Sequence, residues 1–258
     1  MDLQLKGKTA IVTGGSAGIG LAITKALAAE GVMVTVPGRN QEKLEKALAG
    51  ISNTKAVVAD PGTSEGADDL IQQVPDVDIL VNNLGIYEPK PFPEITDADW
   101  LKIFEVNVLS GVRLSRHYFP RMLERNWGRV IFISSESGIM TPPEMIHYGV
   151  TKSSQLAISR GLAELTKGTA VTVNTVLPGP TRSEAIVEFL EKMSTVQNPT
   201  PEQAEKEFFE KHRQSSLLQR LIESEEIASL VAYLASPRSA ATNGASLRAE
   251  GGLLRSIA

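Results

Sequence analysis

The octapeptide Thr13-Gly14-Gly15-Ser16-Ala17-Gly18-Ile19-Gly20 joins a short β-branched run, Thr9–Thr13, to an amphipathic stretch, Ile19–Glu30. Glycine lets a chain turn with positive φ and bring its backbone close to a pyrophosphate. The N-terminus of the helix that follows offers free N–H groups and the positive end of its dipole. Three glycines at fixed spacing say little alone; at the first strand–helix junction they predict nucleotide binding. Gly14, Ser16, Ala17, Gly18, Ile19 and Gly20 are the candidate contacts.

Outward from this loop the pattern repeats. Apolar runs at Val32–Val36, Ala56–Ala59, Asp78–Val81, Arg129–Ser134, Val171–Val176 and Ala245–Ala249 alternate with helical stretches such as Gln41–Leu48 and Ile227–Leu234. Most of the runs are predominantly apolar and lack strict alternation, as expected of parallel strands covered on both faces. The expectation is one α/β domain over residues 1–258, a Rossmann-like doubly wound parallel sheet of about seven strands. Ligands of such sheets bind beyond the carboxyl ends of the strands. One stretch breaks the rhythm: residues 181–219 hold two helical patches, Glu184–Met193 and Pro201–Arg213, and no strand. Ile186, Val187, Phe189, Leu190, Phe208 and Phe209 favour a packing lid over the substrate; a subunit-contact helix pair is the alternative.

With 258 residues and a formal charge of −4, the chain gives no reason to propose nucleic acid or an anionic membrane as partner. It has no cysteine, which excludes disulfides, thiolate nucleophiles and zinc–sulfur sites. Met1–Lys8 lacks a secretory layout, no apolar run is long enough to span a bilayer, and a cytoplasmic protein is expected. His117, His147 and His212 show no metal-ligand spacing, so no metal site is expected.

The second strand ends Val36-Pro37-Gly38-Arg39-Asn40, without the carboxylate that would bind a ribose 2′-hydroxyl. Arg39 suits a 2′-phosphate and favours NADP over NAD; its bland reading is a solvated arginine before the next helix. Farther on, Tyr148 and Lys152 stand four apart in a helical stretch and share a face. A phenol titrates near pH 10, so acid/base work at neutrality asks for a shift of about 3 units, to be supplied by an adjacent ammonium, a positive nicotinamide ring and a partly dry pocket together.

Thr13–Gly20, Asn82-Asn83-Leu84-Gly85, Asn107, Ser135, Tyr148 with Lys152, and Pro178-Gly179 follow one another in the order and spacing of the short-chain dehydrogenases/reductases. The chain resembles that family over residues 6–252. The resemblance implies a catalytic tetrad of Asn107, Ser135, Tyr148 and Lys152. Ser135 would bond the carbonyl oxygen, Tyr148 would pass the proton, and Lys152 would hold the nicotinamide ribose. Asn107 would bind a water linking Lys152 to solvent. It further implies cofactor contacts from Asp60 (adenine), Asn83, Gly85 (room for the adenosine side), Pro178, Gly179 and Thr181 (carboxamide), with Asn82 bracing the sheet. Pro61 and Ala17 depart from the pattern, the first by lacking an N–H for adenine, the second by lacking a basic side chain.

The expected activity is interconversion of a neutral, moderately hydrophobic ketone and a secondary alcohol with NADP(H). Met140, Pro142, Pro143, Met145, Ile146, Pro180 and Phe189 are candidates for a mainly apolar pocket, with no charged residue evident to bind a carboxylate or phosphate. A 3-oxoacyl-(acyl-carrier-protein) reductase and a catalytically silent nucleotide-binding regulator are the alternatives. Arg113, Arg116, Arg121, Arg125 and Arg129 read as a solvated face sooner than a carrier-protein dock. Gly149, Ser153, Ser154, Ala157 and Gly161 permit a second helix to approach, and a homotetramer is expected.

Overall fold

The computed structural model describes residues 1–257, apart from the side chains of Glu184 and Ala185. Its seven strands are β1 (Thr9–Val12), β2 (Met33–Gly38), β3 (Thr54–Val58), β4 (Ile79–Asn82), β5 (Gly128–Ile133), β6 (Val171–Pro178) and β7 (Ser246–Ala249). All pair in parallel, in the order β3-β2-β1-β4-β5-β6-β7. The chain winds one way from β1 to β3 and then crosses back, so the order reverses between β1 and β4. Their carboxyl ends therefore diverge into a crevice.

Successive strand residues point to opposite faces, and here both faces are dry. Val130 and Phe132 of β5 face one core with Leu80, Ile11 and Val173. Ile131 and Ile133 face the other with Val12, Val34 and Val81. The first core is covered by α3 (Ser64–Gln73), α5 (Ser110–Glu124) and α6 (Ile146–Glu164), through residues such as Leu70, Leu114, Tyr118 and Ala163. The second is covered by α1 (Gly18–Ala29), α2 (Gln41–Leu48) and α9 (Ser224–Ala235), through Ile23, Leu27, Leu44, Ile227 and Val231. Continuous apolar runs follow directly from this double burial.

A short helix, α4 (Asp97–Phe104), opens with a Thr96–Asp99 capping box and leads into α5 through a π-helical turn, Glu105–Leu109. In the excursion after β6, α7 (Glu184–Met193) and α8 (Pro201–Lys211) occupy the expected patches. Leu190, Ala204, Phe208, Phe209 and Leu221 form a small core of their own, with Ile186 and Phe189 packed on it. Arg182 anchors the excursion, pairing with Glu205 at 2.8 Å and Glu223 at 2.9 Å.

Two expectations need correction. Arg129 does not belong to a solvated face: at 1% exposure it is buried at the start of β5. It donates to the carbonyls of Gly128 (2.9 Å), Ala170 (2.8 Å) and Ser236 (3.3 Å), stacks on Trp127, and burial pulls its guanidinium down to about 10. Gly149 is not free for a second helix, because Thr141 of the same chain fills the space where its Cβ would stand.

Removing the Arg129 fork strands buried carbonyls at the starts of β5 and β6 and the end of α9. Arg129→Met is expected to lower unfolding free energy by about 2–5 kcal/mol. Urea denaturation measures it, and a loss below about 1 kcal/mol would contradict the clamp.

Candidate active site

The crevice holds the glycine loop first. Thr13, at the end of β1, bonds across the switch: its Oγ donates to Val81 O at 3.3 Å and accepts from Asn83 N and Leu84 N at 2.9 Å. Asn83 Nδ2 donates to Thr13 O at 2.9 Å. A Cβ on Gly20 would overlap the Gly14 carbonyl, so only glycine permits this closure. Asn83 is thus a brace for the loop, while Asn82 Nδ2 reaches Ser115 Oγ of α5 at 3.2 Å. Gly18 turns with φ +49° and faces open space, and α1 starts with no side-chain cap and no acidic residue in its first turn. Leading N–H groups beside an open glycine cradle fit a pyrophosphate.

Arg39 lies past β2, 83% exposed on its side chain, with Nε 4.0 Å from Asp60 Oδ2. Asp60 Oδ1 accepts from Gly62 N at 3.0 Å, which leaves Oδ2 as its freer oxygen. At the end of β6, Gly179 packs so closely on Glu250 that a side chain would collide with backbone there. Thr181 Oγ1 donates back to Gly179 O at 2.9 Å, and Thr181 bridges to Ile222.

The acid/base residues come from three places. Tyr148 and Lys152 share one face of α6, the Lys152 Nζ 5.5 Å from the Tyr148 ring centre. Ser135 follows β5 and caps the 3₁₀ turn Glu136–Gly138, its Oγ accepting from Ser137 N at 3.1 Å. Asn107 stands in the π-helical turn; its amide bonds both backbone groups of Ile86, at 2.7 and 2.9 Å, and Thr151 Oγ at 3.0 Å. Gly85 lies beside these residues: the site for its Cβ is 3.5 Å from both Asn107 Oδ1 and Lys152 Nζ.

Lys152 is 4% exposed and donates to Ile133 O at 3.0 Å and Gln155 Oε1 at 3.4 Å. Burial pulls its ammonium down to about 8, against an opposing pull from the Glu136 charge. Gln155 Nε2 donates to Asn107 O at 2.6 Å. The side chain of Gln155 therefore links Lys152 to the backbone of Asn107. Its signal in the sequence was its place three after Lys152, on the same helix face.

One further expectation changes. Tyr148 is not made more acidic by the folded chain. Burial raises its pKa, the Glu136 charge adds to this, and a hydrogen bond with Ser135 works the other way. The chain by itself holds a neutral phenol, which is a proton donor. Glu136, 5% exposed, stands beside this pair and bonds Ser135 Oγ, Ser137 N (2.8 Å) and Ser137 Oγ (3.2 Å). Tyr87, edge-on to Tyr148 with ring centres 6.2 Å apart, is a second neighbour not foreseen. Met140 is exposed, while Phe189 packs on the excursion's own core. His147 is sealed against Trp100, away from Tyr148's face.

Residues 8–194 match the family model described as short chain dehydrogenase. An uncharacterized oxidoreductase of Bacillus subtilis, YvaG, is 50% identical, with both chains covered completely. A 3-oxoacyl-[acyl-carrier-protein] reductase of Aquifex aeolicus is 28% identical over 98% of this chain and 100% of that one. Among solved structures, L-sorbose reductase from Gluconobacter frateurii, in complex with NADPH and L-sorbose, superposes with a TM-score of 0.93 at 27% identity over the full length of both chains.

Lys152 is expected to lose its proton near pH 8, well below the 10.5 of an exposed lysine. Between those values the unfolded chain binds more protons than the folded one, so this group makes stability rise with pH across that window. Nitrogen-15 NMR of the lysine side chains follows the titration directly, and a midpoint above 10 for Lys152 would contradict its burial.

Proposed function

The chain belongs to the short-chain dehydrogenase family, and from that premise we propose that this oxidoreductase interconverts a ketone and a secondary alcohol with NADP(H), Tyr148 exchanging the proton. The observation that carries the reading is the juxtaposition of Tyr148, Ser135 and Lys152 beside a crevice whose other wall is an open glycine cradle. When bound, the reduced nicotinamide supplies the hydride.

The chain's own residues do the rest. Gly14, Ser16, Ala17, Gly18, Ile19 and Gly20 would hold the pyrophosphate, Asp60 the adenine and Arg39 the 2′-phosphate. Pro178, Gly179 and Thr181 would border the nicotinamide, and Lys152 its ribose. In reduction the neutral Tyr148 phenol gives its proton to the carbonyl oxygen, and the Lys152 ammonium steadies the phenolate left behind. In oxidation the phenolate takes the alcohol proton back. Gln155 and Asn107 keep the ammonium in place. The NADPH and L-sorbose bound by the Gluconobacter relative support both the reducing direction and the 2′-phosphorylated cofactor. An acyl-carrier-protein substrate draws less support. Of the arginines that would meet an acidic carrier, Arg113 pairs with Glu105, Arg125 with Asp76, and Arg121 with the His117 carbonyl, while Arg129 is buried.

Tyr148→Phe is expected to lower kcat for carbonyl reduction by about 10²–10⁴-fold with NADPH binding retained. Full activity in that variant would remove Tyr148 from the chemistry, and no turnover of any carbonyl by the native protein would favour a silent nucleotide binder. Arg39→Ala is expected to weaken NADPH about tenfold or more while leaving NADH nearly unchanged. Fluorescence titration with each dinucleotide reads this, and equal losses for both would place Arg39 outside the phosphate site.

A further inference from the structure

Glu136 is a carboxylate with 95% of its surface removed from water, held directly beside Ser135. Its Oε2 is crowded, bonding Ser135 Oγ, Ser137 N and Ser137 Oγ. No hydrogen bond reaches its Oε1 among the described residues. Unlike the sealed orphans Asn82 Oδ1 and His147 Nδ1, that oxygen still meets solvent. Buried carboxylates need donors, and an unmatched oxygen in a half-dry site is a standing demand for one.

Ser135 has a single hydrogen. Its Oγ already accepts from Ser137 N, and that hydrogen is given to Glu136. To polarise a substrate carbonyl, Ser135 must turn its hydrogen away, and Glu136 then loses a charge-assisted bond. A plain ketone offers nothing in return. A hydroxyl on the carbon next to the carbonyl does: it can donate to Glu136 while Ser135 donates to the carbonyl oxygen. We propose that Glu136 is a specificity-determining residue, its free carboxylate oxygen accepting a hydrogen bond from a hydroxyl α to the reacting carbonyl, so that the enzyme selects α-hydroxy ketones and the corresponding vicinal diols. The inference rests on the ketone–alcohol activity above and narrows its substrate class to hydroxylated compounds, away from the apolar ketones that the sequence suggested.

The test compares matched carbonyls of three to six carbons: each simple ketone, its α-hydroxy counterpart and its α-methoxy counterpart, which accepts but cannot donate. The native protein is expected to favour the hydroxy ketone by roughly tenfold to a hundredfold in kcat/KM, the range a hydrogen bond to a charged group spans, with the methoxy compound no better than the ketone. Glu136→Gln is expected to compress that ratio below about threefold, with NADPH titration and circular dichroism reporting its fold. Saturation-transfer NMR should give vicinal diols, and not the mono-alcohols, a signal at the native protein. Equal use of ketone and hydroxy ketone, a methoxy compound as good as the hydroxy one, or an unchanged ratio in a folded E136Q would each overturn the inference while leaving the reductase reading intact. Failure to reduce any member of the series would overturn both.

Discussion

Lys152 carries its charge into a place where water scarcely reaches, and it does so without a carboxylate bonded to it. Two neutral oxygens, the Ile133 carbonyl and the Gln155 amide, share the ammonium. Desolvation on this scale is unfavourable, and it persists because the surroundings are built around it. Gly85 closes one side, the π-helical turn supplies the carbonyl that fixes Gln155, and β5 ends where its last carbonyl meets Nζ. The same dryness strengthens every electrostatic term nearby. That is why one further carboxylate, Glu136, acts on both the phenol and the ammonium.

The sheet was legible because its physics is local. Short β-branched apolar runs alternating with amphipathic stretches fit strands covered twice, and Ile131 beside Phe132 shows both coverings at once. The glycine loop was legible for a similar reason, since the close approach of Gly20 to Gly14 leaves no space for a side chain. Tyr148 and Lys152 follow from helix geometry. What stayed hidden depends on which side chains meet across long stretches of chain. Glu136 reads as an ordinary turn residue until β5 and α6 close around it. Gln155 gains meaning only when the carbonyl of Asn107, forty-eight residues earlier, turns toward it. Arg129 looked solvated because arginine usually is; three carbonyls from separate elements reverse that preference. The phenol's surroundings were legible only in part: the sequence showed the nearby cation and concealed the anion, Glu136.

The two ends of the sheet are held by different means. At the amino ends of β5 and β6, Arg129 ties main-chain groups together inside the core. At the carboxyl end, charged pairs nearer the surface do the holding: Arg182 with Glu205 and Glu223, and Arg220 with Glu226. Partly exposed pairs of this kind are individually weak. The excursion carrying α7 and α8 has an apolar core of its own, separate from the two that cover the sheet.

The π-helical turn adds a constraint of another sort. Ser110 N bonds Glu105 O, five residues back, so the stretch holds one residue more than a regular α-helix of the same height. Shortening the chain by any single residue between 105 and 109 would merge α4 and α5 into one regular rod. Asn107 would swing by roughly 100° about the helix axis, out of reach of Ile86 and Thr151. At this point of the chain, deletion is a graver injury than substitution: the chemistry is guarded by arithmetic as well as by side chains.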